Sequence, residues 1–223
     1  MREFLISNLT ILIFAITLVE AILGVLLFIS YSKSKKLSVL CMALISVGLV
    51  IDAFLIGLGR FLPNGPVEGL SRVRFICHGA LIPLIFPICG YGLRLKNGAM
   101  KVLWAITCVI VILGIAQAVA INLDIKTIGD VIRHTSTGTP AWAEKISRIL
   151  SYGTVIPLII VGIIAWVKEK TPHLFLSGFL MFAFSALGPA TGNFDLIFFI
   201  SMFGELFMIL FFLLYAKKEE KKL

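Results

Sequence analysis

The sequence predicts an all-α fold, a polytopic membrane protein whose seven transmembrane helices form one domain over residues 1–223. Three observations carry this. The chain is 59% hydrophobic and 14% charged, with a mean hydropathy of +1.05, which is more apolar surface than a soluble domain of this length can hide. Seven apolar runs reach the roughly 20 residues needed to span a bilayer. The net charge of +8 is spread in short basic clusters between those runs, as helix flanks are, so it does not indicate a nucleic-acid surface.

The helices are expected at about 4–30, 38–62, 72–94, 101–122, 147–167, 172–191 and 194–216. The first is too long for a signal-peptide core and lacks a small-residue cleavage site, so it reads as a retained helix with no cleaved leader. SKSKK (32–36) and LKNG (95–98) are polar turns, PNGP (63–66) is a Pro/Gly turn, and KEKTP (168–172) ends one helix and opens the next. GPATGNFD (188–195) predicts a tight hairpin between the last two helices. The one long connection, 123–146, has Ile125, Ile128, Val131 and Ile132 spaced for one helical face and Trp142 at an interfacial position. It predicts a short helix lying on the membrane surface, with an unstructured loop as the alternative.

Of the 13 lysines, 11 fall on one side: Lys33, Lys35, Lys36, Lys96, Lys101, Lys168, Lys170, Lys217, Lys218, Lys221 and Lys222. The positive-inside rule makes that side cytoplasmic and puts the N-terminus outside, in the cell membrane. The seven-helix count and this orientation resemble those of seven-helix receptors and rhodopsins, in those two respects alone. Arginine runs the other way. Only Arg94 is inside, while Arg2, Arg60, Arg72, Arg74, Arg133 and Arg148 are on or near the outer side. Arginine is favoured where a planar anion such as carboxylate or phosphate is held by paired hydrogen bonds. Snorkelling to lipid phosphates is the plainer alternative.

GALIPLI (79–85) is echoed by GTVIPLI (153–159), and LGIA (113–116) by LGPA (187–190) at the same offset. This predicts a parallel repeat of hairpins 3–4 and 5–6, as occurs in some transporters. Pro83 and Pro157 each free the carbonyl four residues earlier, on Gly79 and Gly153, which then needs a partner such as the hydroxyls of Tyr152 or Thr154.

Ionisable groups inside spans are costly and usually face the bundle interior. Here they are Glu20, Asp52, His78 and Glu205, with Asp195 nearer an end. Arg74 and His78 share a helix face. Gln117, Ser151, Tyr152, Thr191 and Asn193 add polarity to the outer halves of their helices. The expected ligand-binding set is Arg60, Arg72, Arg74, His78, Asp52 and Tyr152, lining a water-filled cavity open to the outside. An Asp–Arg lock between helices 2 and 3 is the structural alternative. Glu20 and Glu205, on the first and last helices, are neighbours in a closed ring and are proton-coupling candidates.

No helix core holds a lysine for retinal, and the single in-span histidine is too few for a zinc or bis-histidine haem site. The four cysteines (Cys41, Cys77, Cys89, Cys108) lie in apolar runs and form no CxxC. No metal, cofactor or nucleic-acid partner is expected. The functional expectation is binding or transport of a small anionic or amphipathic ligand, with the lipid bilayer as surroundings. One alternative is an intramembrane enzyme on a lipid or lipid-linked phosphate, with His78 as base or nucleophile and Asp52 orienting it. The other is a structural or partner-binding subunit.

Overall fold

The computed structural model describes residues 6–62, 65–190, 192 and 196–221; Arg2, Thr191, Asn193, Asp195 and Lys222 lie outside the described residues. Seven helices are long and apolar enough to cross a membrane, which makes this a multi-pass membrane protein. They are α1 (Leu9–Ser34), α2 (Leu37–Leu58), α3 (Glu68–Gly92), α4 (Asn97–Ala120), α5 (Ala141–Glu169), α6 (His173–Ala190) and α7 (Ile197–Glu220). Between α4 and α5 lie two strands, β1 (Asn122–Ile128) and β2 (Val131–Thr137). Each helix packs on its neighbours in the chain, and α1 packs on α7, so the ring closes.

The helix ends follow local chemistry. At the lysine-rich end, Lys35 and Lys170 adopt left-handed backbone angles, and their N–H groups donate back to the carbonyls of Tyr31 and Trp166. Lys36 bonds Glu219 at 2.9 Å and Arg94 bonds Glu169 at 2.7 Å, tying α2 to α7 and the α3 end to α5. At the opposite end α2 tightens into a 3₁₀ turn over Gly59–Phe61. The third helix starts at Glu68, earlier than the expected 72, with an acidic residue in its first turn, where the helix dipole favours one. The fifth starts at Ala141 and takes in Trp142 and Glu144, residues assigned to the loop from sequence.

The long connection is a correction. It forms neither a surface helix nor an irregular loop but an antiparallel β-hairpin, paired in register from Asn122↔Thr137 to Ile128↔Val131. Its two-residue turn is Gly129–Asp130. Gly129 has φ +59° and Asp130 does not have positive φ, the pattern of a type II′ turn, which matches the twist of paired strands. The run is rich in Ile, Val and Thr, which favour strands, and that preference beats the chance helical spacing of its isoleucines.

The hairpin is bolted to the bundle. The Asp130 carboxylate accepts from the Thr10 N–H at 3.2 Å and pairs with Arg60, while the Thr10 hydroxyl donates to the Asp130 carbonyl at 3.3 Å. Ile128 and Val131 are buried with Leu9, Ile13, Ala53 and Phe199. The Ile132 carbonyl lies directly on Gly59, where any Cβ would collide with it. Asp130→Ala removes the charge-assisted bond from the Thr10 N–H, worth about 1.5–3 kcal/mol, and the half-exposed pair with Arg60, worth about 0.2–1 kcal/mol. The expected result is faster proteolysis between residues 122 and 137 with helical circular dichroism unchanged; unchanged proteolysis would show that the apolar contacts alone hold the hairpin.

The echoed segments do not pack alike. Pro83 breaks α3 into a 3₁₀ turn over Ile82–Leu84, whereas Pro157 lies within an unbroken α5. Gly79 and Gly114 press backbone to backbone where α3 crosses α4. The carbonyl that Pro83 frees on Gly79 therefore faces α4 rather than an open space. Their counterparts, Gly153 and Gly188, do not meet: a Cβ on Gly153 would touch only Ile149 of its own helix, and one on Gly188 would meet Ile197. Thr154 donates to the Leu150 carbonyl of its own helix at 2.6 Å. The packing lends the repeat no support.

Candidate functional site

A cavity of about 450 Å³ lies in the half of the bundle beneath the β-hairpin. Its polar wall is built from four elements. Asp52 comes from α2, Arg74 and His78 from successive turns of α3, Arg133 from β2, and Glu205 from α7. Arg74 Nε donates to Asp52 Oδ1 at 2.8 Å, and the two side chains are only 5% and 10% exposed. This is the expected Asp–Arg lock, and it also lines the cavity, so the two readings of these residues describe one arrangement. His78 Nδ1 is 3.8 Å from Asp52 Oδ1, and Nε2 is 4.0 Å from Glu205 Oε1. Both distances exceed a hydrogen bond, and Asp52 Oδ1 is already engaged by Arg74. The His78–Asp52 relationship lacks the contact that a general-base pair uses.

The arginines away from the lysine-rich end sort by partner. Arg60 pairs with Asp130, Arg72 with Glu68 at 2.7 Å, Arg74 with Asp52, and Arg148 with Glu144 at 2.6 Å. Arg133 has no carboxylate at ion-pair distance among the described residues. Its Nε and Nη1 are shielded from solvent and have no hydrogen-bond partner there either. The guanidinium lies 4.5 Å from the Phe198 ring centroid, a cation–π contact that leaves its hydrogen-bond donors unused. Burial, reinforced by the nearby Arg74 cation, pulls its pKa down to about 10, against the opposite pull of Asp52 and Glu205. It is a cation at neutral pH. A shielded cation with unused donors, facing a cavity, has the chemistry to hold an anion.

The expected set is thus divided. Asp52, Arg74, His78 and Tyr152 line the cavity, and Glu205 joins them. Arg60 lies elsewhere, as a hairpin bolt. Arg72 caps α4, with Nη1 donating to the carbonyls of Ala118 (3.1 Å), Val119 (2.7 Å) and Ile121 (3.1 Å). Glu20 is fully buried on α1, and neither of its carboxyl oxygens has a hydrogen-bond partner among the described residues. It is not part of the cavity wall, and no hydrogen bond joins it to Glu205 among the described residues. Arg133 is the residue the candidate set omitted. The signal for it is strand alternation: Val131 and Arg133 share a face of β2, and Val131 is buried.

Arg72→Gln is expected to cost about 0.3–1 kcal/mol through the lost positive charge at the α4 carboxyl end, and to leave occupancy of the cavity unchanged. Thermal unfolding and ligand titration of the same sample check both parts. The sequence matches no protein-family model and no curated protein. The reading of the site therefore rests on its own chemistry.

Proposed function

We propose that this chain is a binding protein for a small anionic ligand, held in the cavity beneath the β-hairpin on the extracytoplasmic side of the cell membrane. The observation that carries the reading is Arg133, the one outer arginine in the described structure without a carboxylate, placed on the wall of that cavity. The orientation comes from the lysines, 11 of 13 of which belong to the opposite side. The volume of about 450 Å³ falls within the range of small-molecule sites. Carboxylate and phosphate are the groups whose oxygens match arginine's planar donors. Arg74, paired with Asp52, and the polar side chains of Ser147, Ser151 and Gln117 line the same space.

The test is thermal unfolding of the protein in nanodiscs, titrated with acetate, butyrate and inorganic phosphate against chloride at equal ionic strength. A ligand that binds only the folded state raises the transition with concentration, by about 2.7 kcal/mol at a hundred times its Kd. The proposal predicts saturable stabilisation by a carboxylate or phosphate that is absent in Arg133→Gln. Equal response of both proteins to every anion would overturn it.

A further inference from the structure

The cavity has a second character, set by which of its wall residues also lie on the outside of the molecule. Among the described lining residues only Ser151, Tyr152 and Phe182 are exposed, and all three belong to α5 or α6. Tyr152 is 59% exposed and Phe182 41%. Every lining residue from α2, α3, α4, β2 and α7 is buried or half-buried. The opening is therefore in the side of the bundle, between α5 and α6.

The two helices explain the gap. Toward the lysine-rich end they are in contact: Gly162 presses on the Phe175 backbone, and a Cβ on Gly178 would come within 3.0 Å of Ile159. Nearer the hairpin the same side of α5 continues at Val155 and Ser151, by helical spacing, and these line the cavity instead. Phe182 lies eight residues from the α6 terminus at Ala190, or roughly 12 Å at the helical rise. That depth falls within a leaflet of a hydrocarbon core about 30 Å thick. An opening there faces acyl chains, not water.

The wall offers both charged and apolar contacts. Arg133, Arg74 and Asp52 are charged, and on α5 and α6 the apolar Leu150, Val155, Met181 and Phe182 alternate with Ser151, Tyr152 and Ser185. A soluble anion would use the charged groups and leave these apolar contacts unfilled. We infer that the ligand is a single-chain amphiphile with one carboxylate or phosphate head, entering from the outer leaflet between α5 and α6. Its head is held at Arg133 and its chain leaves past Tyr152 and Phe182. This rests on the anion-binding reading of the cavity and adds the ligand class and its route of entry.

Photolabelling in nanodiscs tests it with three probes carrying a mid-chain diazirine: palmitate, lysophosphatidate and the neutral alcohol hexadecanol. Labelled peptides are mapped by mass spectrometry. The expected result is saturable labelling of α5 around Tyr152 and α6 around Phe182 by one or both anionic probes, at least tenfold above hexadecanol. Palmitate without lysophosphatidate would assign a carboxylate head, and the reverse a phosphate. The same labelling should fall at least tenfold in Arg133→Gln. The hexadecanol comparison uses the unaltered protein, so it decides the role of the head even where the variant fails to fold. Equal labelling by hexadecanol overturns the inference, because it shows chain adhesion without head recognition. No specific labelling by any probe, with acetate or phosphate still stabilising the protein through Arg133, overturns the lipid inference and leaves the anion site standing. Loss of both overturns the two together.

Discussion

Arg133→Gln is expected to remove ligand binding while leaving the apo protein as stable as before, or more so. The two effects come from one observation. Among the described residues Arg133 Nε and Nη1 are shielded and unbonded, so the empty protein carries a cation whose desolvation cost Asp52 and Glu205, neither at ion-pair distance, offset only in part. Glutamine removes that cost and keeps a polar side chain of lower reach beside Phe198. In the bound state the arginine supplies charge-assisted hydrogen bonds, each worth about 1.5–3 kcal/mol, so the loss of one raises Kd by roughly tenfold to a hundredfold. A residue with a purely structural role gives the opposite pattern, lower stability with binding changed only in proportion. Measuring the apo transition temperature and the ligand Kd on the same two proteins separates the cases.

Arg74→Leu is expected to have the largest effect on folding. It leaves the Asp52 carboxylate, 10% exposed, without the 2.8 Å bond from Arg74 Nε that balances its burial. Breaking one side of a buried pair costs about 3–5 kcal/mol, mostly the penalty of the stranded charge. The double variant Arg74→Leu/Asp52→Leu removes that stranded charge and is expected to recover most of the loss. Comparing unfolding of the two single variants and the double variant in the same detergent measures the coupling. A double variant no more stable than Arg74→Leu would show that the pair is not an energetic unit.

The parts of the fold readable from sequence are those set by long-range hydrophobic pattern. All seven helices show as apolar runs, because spanning a bilayer imposes a length that short motifs do not mimic. The β-hairpin was not readable by the same route. Ile125, Ile128, Val131 and Ile132 fit a helical face as well as a strand pair, and the deciding feature was the Gly129–Asp130 dipeptide between β-branched runs.

The site was legible by residue type and less so by position. Asp52, Arg74 and His78 were found because charge inside an apolar run is conspicuous. Arg60 and Arg72 have the same signature, but their side chains reach Asp130 and the α4 carboxyl end, partners that only the folded connection brings near. Arg133 stayed hidden for the same reason in reverse. It lies outside every span, and only the strand carries it back over the cavity.

The most direct test of the account is native mass spectrometry of the protein extracted from its membrane in mild detergent, beside Arg133→Gln prepared identically. The account predicts a retained small molecule bearing a carboxylate or phosphate on the unaltered protein, near one per chain, and its loss from the variant. An identical mass on both proteins, bare or equally loaded, would contradict it.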